Sequence, residues 1–441
     1  MNVLANLETT FCGLKVKNPF ILGAGPITGT AEGIKRSVDA GYGMVITKTS
    51  SQFHYYHKFP YPRYNLLNYD MAGRGRNFRD WVWFHNDHNS PVGPMEFTHI
   101  IEESADYCKK NHCLLVGSFA ASSLEEWQKC AKAYEEAGAD VLQLNFCCSG
   151  PGSLQDIAGA SGNKTMLYGD VLGRDMNLAS QVLEAVKSVV RIPVGCKMPP
   201  AERLKIKENA ARLEKAGANA VEMYANAKGM RVDIESVAPV GSGTTSINAH
   251  GYLGDVIYDI SQVVREGVKV DLIAGRGVRY WSDGMELLMS GAQVIELCTI
   301  AFVYGVDIVG EFIGEFERFM DRKRFANIDA IRGRALEKQL KPSQIKDTVI
   351  PVVAEVLPKK CKACGRCQEV CAYCAATVAY ASGEKAGVGM AKIDKNRCVG
   401  CTLCEQVCPY HAISLTERGI DDYLKALYSQ HPEALAEELE F

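Results

Sequence analysis

Nine of the chain's 17 cysteines fall between Cys361 and Cys408, and eight of those nine repeat one spacing. Cys361, Cys364, Cys367 and Cys371 read C-x2-C-x2-C-x3-C; Cys398, Cys401, Cys404 and Cys408 read the same, followed by Pro409. Three thiolates at this close spacing wrap one corner of a cubane, and the fourth points away toward a neighbouring cluster. The spacing therefore assigns Cys361, Cys364, Cys367 and Cys408 to one [4Fe–4S] cluster, and Cys398, Cys401, Cys404 and Cys371 to a second. Zinc is the alternative, but zinc sites usually use separated pairs of ligands rather than runs of four. Two details depart from the usual pattern. Ala372 replaces the proline expected after the fourth cysteine of the first motif, and Cys374 is a ninth cysteine, either an alternative ligand or a free structural thiol. The stretch from Ala372 to Arg397 is also longer than a minimal two-cluster module needs. Such clusters carry single electrons and make no bonds, so the reaction must lie elsewhere in the chain.

The remaining cysteines are scattered over the first 300 residues of a 441-residue chain. An α/β barrel alone takes about 250 residues, so a barrel and a cluster module together account for this length. Apolar residues at 47% and charged residues at 23% are ordinary for a globular protein. With 49 basic and 52 acidic residues the net charge is −3, and no basic stripe favours a nucleic-acid partner. No run of about 18 apolar residues suggests a membrane span. The start lacks the cationic and apolar regions of a secretory signal. The expected location is the cytoplasm, where disulfides are rare and clustered cysteines point to metals and redox chemistry.

The elements that would position a reaction site are legible as alternating patterns. Short β-rich runs occur at 20–25, 44–49, 114–119, 141–146, 193–198, 221–225, 271–277 and 294–299. Most are apolar through several residues, as strands buried on both faces read. Between them lie helical segments with charged outer faces, such as Leu124–Ala137 and Ile206–Ala216, several ending in a glycine. Eight strand–helix pairs predict a (β/α)8 barrel; a doubly wound open sheet is the alternative, without the glycine fingerprint of a dinucleotide site. The connections 50–97 and 227–250 are long for a barrel and are expected on its C-terminal face, where barrel active sites lie. The expected division is a barrel over 1–320, a helical connector over 321–350, a two-[4Fe–4S] ferredoxin-like domain over 351–415 and a helical tail over 416–441.

Six segments carry a resemblance to a known family. They are Asn18-Pro-Phe with the ILGAGPITGT that follows, Ile46-Thr-Lys48-Thr-Ser, Leu142-Gln-Leu-Asn145-Phe-Cys-Cys148, Pro193-Val-Gly-Cys-Lys197, Tyr224-Ala-Asn226 and Ile273-Ala-Gly-Arg-Gly277. In this order, each at or beside a predicted strand, they resemble the dihydroorotate and dihydropyrimidine dehydrogenases, a family of FMN-binding barrels. The resemblance covers roughly residues 7–415. It implies that Lys48 and Lys197 contact the isoalloxazine, where a lysine stabilises the negative charge of the reduced ring. It places the FMN phosphate near Gly251, Gly275, Gly277, Cys298 and Thr299. It makes Cys148, three residues past Asn145, the general acid or base, with Cys147 and Ser161 next in line. It makes Asn86, Asn145 and Asn226 the substrate contacts and gives Asn145 a place beside the cofactor as well.

Departures from the family pattern bear on the substrate. Cys147 stands where serine is usual, Ser149 and Gly150 replace the usual proline and its neighbour, and Ala227 stands where the family has threonine. The asparagine-led loop N-S-x-G-x-x-N of dihydroorotate dehydrogenases is absent; an aromatic, histidine-bearing stretch with Trp81, Trp83 and His85 replaces it. The resemblance implies reduction or oxidation of a ring C=C or C–C bond, with uracil or thymine as default substrate. Dihydroorotate is the runner-up, followed by a non-pyrimidine cyclic or aromatic compound. A non-catalytic electron-transfer subunit is a further reading. The chain carries no NAD or FAD fingerprint, so the implied electron partner is a flavoprotein subunit oxidising NAD(P)H, or a ferredoxin or flavodoxin, in a homo- or hetero-oligomer.

Overall fold

A computed structural model describes residues 6–51, 62–67, 81–85, 89–147, 168–199, 205–223, 227–240, 245–341, 343–345, 349–380 and 389–429. The chain divides into two compact units, Met1–Lys338 and Gln339–Phe441.

The first unit is a closed barrel of eight parallel strands: β1 (Phe20–Leu22), β2 (Met44–Ile46), β3 (Leu114–Ala120), β4 (Val141–Asn145), β5 (Val194–Lys197), β6 (Ala220–Glu222), β7 (Asp271–Ala274) and β8 (Val294–Glu296). Each pairs in parallel with the next, and β8 closes on β1 through Ile295 opposite Phe20. All eight fall within or overlap the apolar runs of the sequence, and closure rules out the open sheet. A helix follows each strand, from Ala31–Ala40 after β1 to Ile308–Lys323 after β8. Gly138, Gly217 and Gly291, the glycines that punctuate these helices, have φ of 100°, 95° and 109°. That left-handed conformation lets the chain turn back toward the next strand at little steric cost.

The bore has two chemically distinct halves. Phe11, Val16, Ile21, Met44, Ile46, Val116, Val141, Ala220, Ile273 and Val294 form one apolar cluster. Phe11 and Val16 come from the hairpin Thr9–Phe11/Leu14–Val16, which plugs the N-terminal mouth. Because strand side chains alternate, two residues on from these positions lie the next inward groups. They are Gly23, Lys48, Ser118, Gln143, Glu222, Gly275 and Glu296, with Asn145 one step further along β4. Toward the C-terminal end the bore thus turns from apolar to polar within one layer. The larger cluster, including Phe20, Phe119, Trp127, Tyr134, Phe312 and Phe316, packs the strands against the surrounding helices.

Two long connections, expected as separate loops, share one four-stranded antiparallel sheet in their described parts. Its order is Ala227–Gly229, Thr245–Ala249, Val82–His85 and Tyr64–Leu67. Within 321–350, the helix Ile308–Lys323 ends and two 3-10 turns follow, Ile328–Ala330 and Leu336–Lys338. Ile328 and Ile331 are fully buried in the barrel unit's core. Arg332 is tied to the unit through Ala292 O and Thr9 Oγ1, at 3.2 and 2.8 Å.

The second unit pairs Val352–Val356 with Ile413–Glu417, and Ala376–Tyr380 with Gly389–Ile393. This second strand pair lies within the long stretch between the cysteine motifs. A helix Ile420–Leu427 follows, and residues from 430 onward lie outside the described set. Among the described residues no helix is long and apolar enough to cross a membrane.

Candidate functional site

The polar layer of the bore opens into a cavity of about 480 Å³ walled by Ala24, Lys197, Glu222, Asn248, Arg276, Gly277, Val278, Glu296, Cys298, Thr299 and Ile300. Glycines make the room. A Cβ at Gly275 would lie 2.9 Å from Glu296 Cβ, and one at Gly23 would collide with the Glu296 carboxylate. Gly277 has φ of 96°, and a Cβ there would sit 2.9 Å from the Leu253 nitrogen.

Lys197 ends β5 with its Nζ 2.5 Å from Glu222 Oε1 and 3.7 Å from Glu296 Oε1. Gln143 Nε2 donates to the other Glu222 oxygen at 2.9 Å. Burial works to lower the Lys197 pKa, but Glu222 and then Glu296 outweigh it and hold the ammonium form well above the ordinary lysine range. Burial first, and Glu296 second, push the Glu222 carboxyl up to about 7 despite Lys197. Neither glutamate stood among the expected site residues. The signal was in the sequence, since a carboxylate inside an otherwise apolar strand must find a partner when buried.

Asn145 is buried at the end of β4. Its Nδ2 donates to Thr49 Oγ1 at 2.9 Å, and its Oδ1 accepts from the Cys147 N–H at 3.0 Å. It therefore anchors the start of the loop that carries Cys148. Lys48 is buried just past β2, with its N–H donating to Thr28 O at 3.0 Å. Gly277, Cys298 and Thr299 share the cavity wall, and Gly275 is buried behind Glu296. Gly251 differs from expectation. It lies exposed in the turn His250–Tyr252, with open space about it, and is not part of the wall. Asn248 takes that place instead. Its Nδ2 donates to Thr299 Oγ1 at 2.8 Å and its Oδ1 accepts from the Gly277 N–H at 3.0 Å. Cys196 is buried and Cys298 half-buried in the cavity wall, and desolvation raises both thiols, Cys298 to about 12. Cys148, Asn86, Asn226 and Ser161 lie outside the described residues.

The aromatic stretch after β2 supplies one side of the mouth. Trp83, Tyr64 and Phe302 form a three-ring cluster, with centroids 5.2 Å apart for Tyr64–Trp83, 6.0 Å for Trp83–Phe302 and 6.2 Å for Tyr64–Phe302. Trp81 is fully buried, with the Arg279 guanidinium 3.4 Å from its ring centre and its Nε1 donating to Tyr304 at 3.1 Å.

In the second unit the eight motif cysteines line two separate cavities. Cys361, Cys364, Cys367 and Cys408 line one of about 330 Å³; Cys371, Cys398, Cys401 and Cys404 line one of about 370 Å³. Each ring takes three thiols from one motif and the fourth from the other, the donor set a four-iron cubane requires. Among the described residues no group of three or more His, Cys, Asp or Glu is placed to hold a single metal ion. Four thiols spread around a cavity fit a cluster better than a zinc ion. Backbone N–H groups point at the sulfurs: Ala375 at Cys371, Ala412 at Cys408, and both Ala363 and Ala391 at Cys361. The duplicated geometry also places Cys374. It is exposed, with φ of 49°, three residues past Cys371, just as His411, with φ of 47°, is three past Cys408. Cys374 occupies a left-handed turn position and borders neither cavity.

Comparison with known proteins agrees with both units. The family model described as dihydroorotate dehydrogenase matches residues 89–320, and the one described as 4Fe-4S dicluster domain matches 360–412. The chain belongs to the dihydroorotate dehydrogenase family, as an oxidoreductase of the CH–CH dehydrogenase class with a C-terminal domain for two [4Fe–4S] clusters. It is similar to the NAD-dependent dihydropyrimidine dehydrogenase subunit PreA of Escherichia coli (strain K12), with 27% identity over 83% of this chain and 85% of that protein. It is similar to the catalytic subunit of dihydroorotate dehydrogenase B (NAD(+)) of Thermoplasma volcanium, with 26% identity over 76% of this chain and all of that protein. It also resembles the chloroplastic dihydropyrimidine dehydrogenase (NADP(+)) of Arabidopsis thaliana, with 24% identity over 75% and 77%.

Proposed function

We propose that the chain binds FMN in the C-terminal mouth of the barrel and reduces or oxidises a ring C=C or C–C bond of a pyrimidine-like substrate, uracil or thymine against their 5,6-dihydro forms. The observation that carries this reading is the polar layer at the top of the bore, where Lys197, in register with Asn145 on the neighbouring strand, lines a cavity together with Gly277, Cys298 and Thr299. Bound FMN would supply hydride exchange with the substrate and single-electron exchange with the clusters.

The chain's own groups have separable tasks. Lys48 and Lys197 keep positive charge beside the isoalloxazine. Gly275, Gly277, Cys298 and Thr299 leave space for the phosphate end, with Asn248 fixing Gly277 and Thr299 relative to each other. Asn145, Asn86 and Asn226 offer both donor and acceptor groups to a planar amide ring. Cys148 holds the proton given to the substrate carbon in reduction and takes it in oxidation. Two clusters held by the cysteine rings 361/364/367/408 and 371/398/401/404 would supply single-electron transfer to or from a flavoprotein subunit that oxidises NAD(P)H, or a ferredoxin or flavodoxin. The naming of the E. coli relative as a subunit of an NAD-dependent enzyme supports such a partner.

Dihydroorotate is the second reading, favoured by the full-length match to the archaeal catalytic subunit and opposed by the missing N-S-x-G-x-x-N loop. The Tyr64, Trp83 and Phe302 ring cluster favours a third, a less polar cyclic substrate. The deciding experiment presents anaerobic protein with uracil, thymine, dihydroorotate and cyclic aromatic compounds and follows flavin bleaching or reoxidation. Response to uracil or thymine supports the reading. Response to dihydroorotate alone, or to aromatic compounds alone, replaces it with the corresponding alternative.

A further inference from the structure

The barrel buries two carboxylates against one ammonium. Glu222 is 1% exposed and Glu296 8%. Lys197 from β5 bridges them. Gln143 from β4 donates to Glu222, and Cys298 after β8 also faces it, while Cys147 just past β4 faces Lys197. Lys48 after β2, which faces Cys298, and Arg276 after β7, in the cavity wall, are further charged groups here among the described residues. With Glu222 and Glu296 both ionised, this three-residue core carries one net negative charge in a low-dielectric bore. Such an arrangement favours a proton on the Glu222 carboxyl, which has the Glu296 carboxylate beside it. The near-neutral pKa of Glu222 agrees with that geometry.

We propose that Glu222, with Glu296 beside it, takes up one proton each time the bound flavin takes up an electron pair, and releases it when the electrons leave through the clusters. The inference rests on FMN binding in this cavity. The step balances. The hydride delivers two electrons and one proton, leaving the isoalloxazine with one added negative charge. One solvent proton then converts the Glu222 carboxylate to the acid, and no other bond forms or breaks. The charge of the bore is unchanged, and Lys197 keeps its ammonium while losing one anionic partner to face the ring. Glu222 is thus a positioning residue that acts through Lys197.

The test is the pH dependence of the FMN midpoint potential in the anaerobic holoenzyme, read by spectroelectrochemistry. For a two-electron couple a tenfold change in equilibrium constant is 29.6 mV, so each proton taken up adds about 30 mV per pH unit. The expected slope above about pH 7 is about 59 mV per unit in the parent protein and about 30 mV in Glu222→Gln. A parent slope of about 30 mV throughout, or about 59 mV retained in Glu222→Gln, overturns the proposal. Glu296→Gln keeps the acceptor but removes its like-charged neighbour, so the steep region should begin at lower pH. An unmoved profile in that variant also overturns the proposal and covers the case in which Glu222→Gln does not fold. Purified protein without FMN refutes the cofactor assignment and this inference together. Wrong slopes in flavin-loaded protein refute the proton uptake alone.

Discussion

Replacing Lys197 by methionine keeps most of the side-chain volume but strips the ammonium from two buried carboxylates. Its Nζ lies 2.5 Å from Glu222 and 3.7 Å from Glu296, and no solvent can replace it at Glu222, which is 1% exposed. Removing one partner of a buried pair costs about 3–5 kcal/mol. The cost depends on pH with a definite sign. A carboxyl whose folded pKa is raised contributes stability that is fully present below its unfolded value and is lost as pH rises through the folded one. Glu222 already sits near 7, and loss of Lys197 moves it further up, so the variant suffers fully at about pH 8 and little at about pH 5. One kcal/mol shifts Tm by about 2–4 °C in domains of 150–250 residues, and somewhat less in this larger unit. The expected drop is therefore roughly 5–10 °C at about pH 8, shrinking to a few degrees at about pH 5. Thermal unfolding of the anaerobic protein followed by far-UV circular dichroism reads it. Adding Glu222→Gln should recover most of the loss at the higher pH. An equal drop at both pH values, or a double variant that melts no higher than the single one, refutes the charge argument.

The crossed ligand sets predict that Cys408→Ala removes the cluster of the first motif and spares the other. Iron and acid-labile sulfide should fall from about eight to about four per chain, with one cluster's EPR signal retained; Cys374→Ser should change neither. Gly277→Ala forces a Cβ onto a left-handed backbone 2.9 Å from the Leu253 nitrogen. Strain of about 1–3 kcal/mol should lower Tm and weaken FMN retention on dilution, whereas Gly251→Ala, in open space, should do neither. Cys148→Ala should leave flavin bound and slow its reduction by substrate by roughly 10²–10⁴-fold, the usual worth of a general acid or base. An unchanged rate moves the proton transfer to Cys147 or Ser161.

The barrel was legible because strands buried on both faces cannot hide: runs such as Phe20–Leu22 (FIL) and Met44–Ile46 (MVI) are apolar throughout. The cluster ligands were legible because the cubane dictates spacing along the chain. Glu222 and Glu296 escaped because their meaning is spatial. Each looks like one polar residue in an apolar strand until barrel closure brings β6 and β8 to the same lysine. Asn248 escaped for a similar reason. It sits in a long connection without a motif, and its partners, Gly277 and Thr299, come from two other strand ends. The resemblance pointed to Gly251, but the turn His250–Tyr252 leaves that residue exposed in open space, off the cavity wall. The sheet built from the two long connections was hidden as well, since pairing between distant insertions leaves no local periodicity.

That shared sheet has a consequence for how the mouth can diversify. Asn248 lies opposite Trp83 in its register, and Ile247 opposite Phe84. A slip of one residue between these strands would turn every side chain to the other face. A single insertion or deletion in the region after β2 would thereby move the anchor of Gly277 and Thr299. The aromatic wall and the polar corner behind it are inherited as a matched pair, and a change of substrate by loop replacement must exchange both segments or keep the length of each.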